Sequence, residues 1–283
     1  SQWLKGKIQY TNIYAVLMNL ETGGAKTPPN TEPLFQKKAM SIQYLSFNVS
    51  KRINLGLFQS LIWGSADSMN RQHIDWQYVN PIIYTNLGYY GLTNKNNIMI
   101  GANANIKITN KISAYGQFMA DDLSNQTTFG NSVGYQFGVK YFEPFSIKNL
   151  MLQIEYNDVN EGSYNSPLGT YSNQSYSHYN QNLAYTLGYG KEFIVLADYK
   201  YKRFFLNAKY NFQTLTLKKF ALYNNSVFKA QLGYTVNYAY NFNVSLSYNY
   251  RQQLFTDFNA SNNTTHFYTL SFKSNLFNTY YDF

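Results

Sequence analysis

Apolar and polar side chains alternate along most of this chain, in runs of about ten residues separated by polar segments. The run from 98 to 108 shows this best. Isoleucine and alanine take every second position from Ile100 to Ile108, and asparagine, lysine and one glycine take the positions between them. The last such run, Tyr268 to Phe272, alternates in the same way. A period of two places every second side chain on one face of a β-strand, so these runs predict strands with one apolar and one polar face.

This pattern predicts about twelve strands, an even number, as bacterial outer-membrane barrels have. They are 3–20, 37–50, 54–65, 100–108, 113–123, 133–145, 150–160, 193–202, 204–217, 227–239, 244–258 and the last strand around 268–272. Most of them are long enough to cross a bilayer at a tilt.

Long and short connections alternate between these strands. The long ones are 21–36, 66–97, 124–132, 160–192, 218–226 and 259–265, and 66–97 has room for a short element of its own. The tight turns lie near residues 51, 110, 147, 202 and 241. This alternation predicts an antiparallel up-and-down transmembrane β-barrel, with loops at one end and turns at the other. The alternative is a soluble β-sandwich, whose strands are usually shorter.

The composition fits such a barrel. Tyrosine (29 residues) and phenylalanine (21 residues) are abundant, whereas charged residues make up only 13% of the chain and the mean hydropathy is -0.40. The polarity therefore comes from amides and hydroxyls, which suits a sheet between lipid and water. No apolar run of about 18 residues predicts a membrane-spanning helix. The chain has no cysteine, so disulfides and thiolate sites are excluded.

The net charge of +9 comes from single, scattered lysines and arginines. Without a basic block we expect no nucleic-acid partner, and attraction to anionic lipopolysaccharide or glycans explains the charge better. The chain starts Ser1-Gln2-Trp3, which is not a plausible translation start. We therefore expect one domain over residues 1–283 that lacks an N-terminal portion, either a removed leader or a longer stretch of protein.

Residues capable of acid–base chemistry lie in or beside the predicted loops. The candidates are Asp121, Asp122, Asp158, Glu161, His178, Asp257 and His266. Their spacing matches no catalytic motif, and neither a Gly-x-Ser-x-Gly nor a His-Glu-x-x-His segment occurs. We expect solvated loop residues, with no catalytic residue, metal or cofactor; a rim-located protease or lipase site is the last alternative.

Aromatic residues in two long loops stand among asparagine and glutamine. An aromatic ring can cover the apolar face of a sugar while amides bind its hydroxyls, so these loops predict a glycan-binding surface. The candidates are Trp76, Tyr78, Tyr84, Tyr89, Tyr164, Tyr171, Tyr176 and Tyr179. The alternative is that these rings pack the loops together and mark the membrane interface.

Three segments resemble the Wzi-type capsule-assembly outer-membrane family, and within it the Bacteroidetes branch that includes the gliding-motility protein RemB. They are Asn80-Pro-Ile-Ile-Tyr84, the run 98–122 and Tyr135-Gln-Phe-Gly-Val-Lys-Tyr141. The C-terminal segment 275–283, Asn-Leu-Phe-Asn-Thr-Tyr-Tyr-Asp-Phe, is similar too. The resemblance implies a barrel of about eighteen strands, of which this chain is the C-terminal two-thirds. The last strand then pairs with a strand outside this sequence rather than with residues 7–20.

We therefore expect a non-catalytic barrel of the bacterial outer membrane that binds or organises surface polysaccharide for capsule assembly. The first alternative is a structural subunit of a gliding-motility or secretion complex, which docks other envelope proteins. The second is a porin-like channel with anion preference, because basic residues lie on polar strand faces. These residues are Lys107, Lys140, Lys209, Lys229, Arg251 and Lys273.

Overall fold

The structure is a computed structural model that describes residues 2–4, 6–20, 35–66, 72–85, 96–121, 132–164, 174–217, 221–256 and 261–274. Most of these residues lie in strands. The strands are β1 (Gln2–Trp3), β2 (Ile8–Met18), β3 (Lys37–Asn48), β4 (Ile53–Gly64), β5 (Asn96–Lys107), β6 (Ile112–Asp121), β7 (Val133–Phe142), β8 (Leu150–Val159), β9 (Ser177–His178), β10 (Gln181–Asn182), β11 (Gly190–Tyr201), β12 (Phe204–Leu217), β13 (Ala221–Asn237), β14 (Phe242–Phe255) and β15 (Asn263–Lys273). Two single-turn 3₁₀ helices span Trp76–Tyr78 and Pro144–Ser146. None of the helices described here is long and apolar enough to cross a membrane.

Thirteen strands form one antiparallel sheet in which each is hydrogen-bonded to the next in chain order. The sheet runs from β1 to β8 and from β11 to β15, while β9 and β10 form a separate hairpin. Among the described residues, twelve of these strands have ten or more residues. The prediction of about twelve up-and-down strands is thus confirmed for the described part of the chain. That part contains no ladder joining β15 to the N-terminal strands, and the tail 275–283 lies outside it.

Several strand boundaries differ from the prediction. Residues 221–226, predicted as a long loop, belong to β13, because the ladder with β12 continues to the pair Leu217 and Ala221. Asn224, Asn225 and Ser226 place polar side chains on both faces of the strand. The sequence therefore shows no alternation there, and the strand was not predicted. At β7 the strand ends at Phe142 rather than 145, since Glu143 is left-handed (φ 50°) and proline follows. Strand β11 begins at Gly190, and β15 at Asn263, both inside predicted loops.

The chain divides into two compact units. Unit 1 comprises Ser1–Ile106, Tyr115–Phe137 and Asn157–Gly190, and unit 2 comprises Lys107–Ala114, Gly138–Tyr156 and Lys191–Phe283.

Unit 1 buries both faces of β4. The side chains of Leu61 and Ile62 are fully buried, and as consecutive strand residues they point to opposite faces. Leu61 packs with Trp63, Tyr78 and Ile98, whereas Ile62 belongs to a cluster with tyrosines of the segment 161–189. Each buried aliphatic side chain contributes about 1.5–3 kcal/mol. The described parts of two connecting segments, 72–85 and 174–189, therefore cover the sheet of unit 1, one on each face.

Unit 2 has an exposed apolar face. The register of β12 to β15 aligns Leu206, Leu232, Leu246 and Leu270 in one row across the four strands, and these leucines are 43 to 63% exposed. On the other face, several polar side chains are buried. They are Gln213, Asn225, Ser245 and Ser247. This burial is the reverse of what a water-soluble sheet shows.

Candidate functional site

The segment 174–182 is fixed to one face of unit 1 by buried polar groups. The hydroxyl of Tyr176 donates to the carbonyl oxygen of Ser60 at 2.9 Å. The Nζ of Lys38 donates to the carbonyl oxygen of Ser175 at 2.8 Å and to the Oγ of Ser177 at 2.9 Å. Lys38 is fully buried, and a buried ammonium requires such partners. The lysine thus ties this segment to the beginning of β3.

The hairpin β9–β10 also extends along the end of β2. The amide of Met18 donates to Nδ1 of His178 at 3.1 Å, and the amide of Tyr179 donates to the carbonyl oxygen of Met18 at 2.7 Å. The amide of Leu20 donates to Oδ1 of Asn180 at 3.0 Å. His178, Tyr179 and Asn180 therefore provide hydrogen-bond partners for backbone groups at and just beyond the C-terminal end of β2.

Tyr164 links the same segment to the end of β6. Its amide donates to Oδ2 of Asp121 at 2.7 Å, and its ring lies edge-on to the ring of Tyr176 with centroids 6.4 Å apart. Burial, with a smaller contribution from the Asp121 charge, raises the pKa of Tyr164 to about 12. The phenol therefore stays neutral and acts as a packing group.

A second segment, 72–85, covers the opposite face of unit 1. Nε1 of Trp63 donates to Oδ2 of Asp75 at 2.7 Å, and Oδ1 of Asp75 lies 3.1 Å from Nε2 of His73. The rings of Trp63 and Tyr78 are 5.0 Å apart. Nε2 of Gln43 donates to the carbonyl oxygen of Asn80 at 3.2 Å. This segment thus provides hydrogen-bond partners for Gln43 and Trp63 of the strands that it covers.

The predicted aromatic candidates divide into buried and exposed rings. Tyr78, Tyr164 and Tyr176 are only 2 to 7% exposed, so their rings pack against protein. Trp76 and Tyr179 are 77% and 47% exposed, and Tyr84 is half-buried. Tyr89 and Tyr171 lie outside the described residues. Among the described candidates, the rings most open to a ligand are therefore Trp76 and Tyr179.

A cavity of about 470 Å³ lies in unit 1 beside the packed tyrosines. Apolar side chains such as Met40, Ile42 and Phe58 line it, together with the rings of Tyr164 and Tyr176. Two amides, Asn103 and Gln117, are among its polar groups. The cavity combines rings and amides, but its lining is mainly apolar.

The acid–base candidates that the structure describes bind other groups of the protein. Asp121 binds the amide of Tyr164, and Oδ2 of Asp158 accepts a hydrogen bond from the hydroxyl of Tyr135 at 2.8 Å. Nδ1 of His266 lies 2.9 Å from the hydroxyl of Tyr248.

In the described part of the chain, neither His178 nor His266 has a carboxylate within hydrogen-bonding distance. Glu161 is exposed, and Asp122 and Asp257 lie outside the described residues. The described residues contain no group of three or more metal-ligating side chains. The absence of catalysis stays a prediction.

Sequence reasoning missed the His73–Asp75 pair, although the two residues are only two positions apart.

The six basic candidates all lie in strands. Lys140 is half-buried, and the other five are exposed. Two of them, Lys209 and Lys229, face each other directly across the ladder between β12 and β13. Whether they line a lumen stays a prediction.

The fold is all-β, an antiparallel sheet in up-and-down order. Among solved structures it resembles Wzi, an outer-membrane protein involved in group 1 capsule assembly in Escherichia coli and described as a carbohydrate-binding β-barrel. The TM-score is 0.60 at 11% sequence identity, over 92% of this chain and 54% of Wzi. The chain thus spans about half the length of Wzi, and the likeness shows the fold alone.

A second structure, the trimeric form of the outer-membrane protein OmpT of Vibrio cholerae, matches with a TM-score of 0.28 and 10% identity, over 93% of this chain and 82% of OmpT. That score supports no argument. No family model and no curated protein matches the sequence. The predicted likeness to Wzi is thus confirmed for the fold, and the Bacteroidetes branch with RemB stays a prediction.

Proposed function

We propose that this chain forms a β-barrel of the bacterial outer membrane, or part of a larger one, that binds or organises surface polysaccharide without catalysis. The observation that carries the membrane part is the exposed leucine row of unit 2. A contiguous apolar face of this kind on a soluble monomer would promote aggregation, whereas a lipid-facing surface requires it.

The flanking residues support a lipid-facing role for this surface. On one side of the leucine row the register aligns Phe204, Tyr234, Val244 and Phe272. On the other side a row of Ala208, Ala230, Tyr248 and Tyr268 comes first, followed by a row of Tyr210, Phe228, Tyr250 and His266. Aromatic rings on both sides of the leucine row are in keeping with the girdles at the two membrane interfaces of outer-membrane barrels. The buried amides and hydroxyls on the opposite face match the polar interior of such a barrel.

The polysaccharide part rests on the exposed rings of Trp76 and Tyr179. Tyr179 is followed in the chain by Asn180, Gln181 and Asn182, whose amides are of the type that binds hydroxyls. The segment that holds Tyr179 is fixed by Lys38 and the end of β2, which lowers the entropic cost of binding. The fold likeness to a carbohydrate-binding barrel supports the same assignment.

The proposed partners are outer-membrane lipid with its lipopolysaccharide, surface polysaccharide and other envelope proteins. The net charge of +9 suits anionic partners. Docking in a gliding-motility or secretion complex and porin-like conduction stay the alternatives.

The test replaces Trp76 and Tyr179 by alanine, singly and together. The two rings lie on segments that cover opposite faces of unit 1, so each single variant tests its own face. Loss of a ring that contacts glycan should weaken binding to immobilised bacterial capsular polysaccharides roughly five- to tenfold. Tyr240→Ala is the matched control, since this exposed tyrosine lies in the turn between β13 and β14. Heat-modifiable migration on gels should be kept by all variants. Unchanged binding in the double variant overturns the assignment to these rings, and absence of heat-modifiable migration in the wild type overturns the barrel.

A further inference from the structure

Two lysines of unit 2 face each other on the polar side of the sheet. The register pairs Lys209 of β12 with Lys229 of β13 near the middle of both strands. Side chains that are directly opposite in an antiparallel pair have Cβ atoms about 4.5–5.5 Å apart, and like charges there destabilise the pair. The placement therefore costs stability unless an anion neutralises it.

The acidic residues of β11 on this face accept hydrogen bonds from amides of β12. Oδ1 of Asp198 accepts a hydrogen bond from Asn207, and Oε1 of Glu192 accepts bonds from Asn211 at 2.7 Å and Gln213 at 2.9 Å. Across the described residues, neither lysine forms an ion pair. Both side chains are exposed, so their ammonium groups are open to a ligand.

A third cation and an aromatic ring lie on the same face. Lys229 is opposite Asn249 of β14, and Arg251 lies two residues further along that strand, on the same side. Asn249 is in turn opposite Phe267 of β15, whose ring is exposed. This face thus offers three positive charges, an amide and an apolar ring across four neighbouring strands.

We infer that Lys209, Lys229 and Arg251 form a binding site for an acidic saccharide. The cations bind carboxylate or phosphate groups of the chain, Phe267 covers the apolar face of a sugar, and Asn249 binds its hydroxyls. This inference rests on the proposed function and names a ligand class for it. The site lies in the middle of the strands, so it is distinct from the connecting segments that present Trp76 and Tyr179.

Replacing either of the two opposed lysines should change stability and anion binding in opposite directions. Replacing either by glutamine removes the repulsion, so the empty protein becomes more stable, while binding of the anion weakens. A purely structural lysine gives the opposite sign for stability. The two readouts together therefore separate a binding role from a packing role.

The experiment compares the wild type with Lys209→Gln, Lys229→Gln and the double variant in detergent micelles at low salt. The ligands are an oligogalacturonate, a neutral malto-oligosaccharide of equal length and inorganic phosphate. Each lysine lost should weaken oligogalacturonate binding on the order of tenfold and raise the midpoint of thermal unfolding without ligand. Lys148→Gln is the matched control, because Lys148 is exposed in the turn between β7 and β8.

Each outcome decides a different claim. Equal oligogalacturonate affinity in the wild type and the double variant, an equal loss in Lys148→Gln, or a lower unfolding midpoint overturns the site. Binding of phosphate but not of oligogalacturonate overturns the saccharide assignment. If the wild type binds the neutral chain while the lysine variants change nothing, the proposed function stands and this inference fails. If it binds none of the three ligands and no capsular polysaccharide, both fail.

Discussion

Two glycines make room for aromatic rings on neighbouring strands. Gly233 of β13 is opposite Phe205 of β12, and Gly101 of β5 is opposite Phe58 of β4. A Cβ atom at either glycine would overlap the ring. The rings lie across the glycine backbone, a cross-strand pairing that protects a strand from the weakening effect of glycine.

Gly233→Ala should therefore lower the free energy of unfolding by about 1–3 kcal/mol, because the ring of Phe205 must leave its position. Urea titration in lipid vesicles measures the change. The double variant Phe205→Leu with Gly233→Ala should recover part of the loss, since the smaller side chain no longer meets the new methyl group. Equal stability of the wild type and Gly233→Ala would show that the ring moves without cost.

Tyr164 makes stability depend on alkaline pH. Burial raises the pKa of Tyr164 to about 12 from its ordinary value of 10.0. Because the folded-state pKa is above that of the unfolded chain, the stabilisation is complete below about pH 10 and is lost as pH rises towards 12, by up to about 3 kcal/mol. Unfolding free energies measured from pH 9 to 12 should therefore fall more steeply for the wild type than for Tyr164→Phe. Parallel curves would contradict this assignment.

At the scale of elements, the strands could be predicted from the sequence, whereas the packing of Tyr164 and Tyr176 could not. Strands were predictable because an alternation of period two is a local property, as the run from Ile100 to Ile108 shows. The burial of Tyr164 and Tyr176 was not, since it depends on contacts with strands far away in sequence. Lys38 and Ser175 are 137 positions apart. Aromatic and amide residues in a loop indicate packing and ligand binding equally well until those contacts are known.

Lys38→Met should loosen the segment 174–182 from the sheet. The variant keeps much of the side-chain volume but leaves the carbonyl oxygen of Ser175 without its ammonium donor, which costs about 1–3 kcal/mol. Hydrogen exchange of the amides of Ser177 and Tyr179 should then accelerate. Lys51→Met, which removes an equal charge from the exposed turn between β3 and β4, should leave the exchange unchanged. Equal exchange in Lys38→Met and the wild type would mean that the hairpin β9–β10 holds the segment without the lysine.

At the scale of the whole molecule, the two faces of unit 2 support the proposed membrane location. A soluble sandwich buries its leucines and exposes its amides. Unit 2 exposes Leu232 and Leu246 and buries Gln213 and Asn225. The sequence showed that each strand has two chemically different faces, but the periodicity alone does not tell which face is buried. The exposed fractions of these side chains in the structure show which face is buried.

Neighbouring residues of β15 provide a matched test of the lipid-facing surface. Leu270 continues the exposed leucine row, and Thr269 points to the opposite, polar face at the same depth. If the row faces lipid, Leu270→Arg should lower the free energy of unfolding in vesicles by roughly 2–4 kcal/mol, since an arginine near the midplane loses its hydration. Thr269→Arg should cost clearly less, because that face is polar. In a soluble protein an exposed Leu270→Arg would stay within about 0.5 kcal/mol of the wild type. A cost for Leu270→Arg no larger than that for Thr269→Arg would therefore contradict a membrane location for this face.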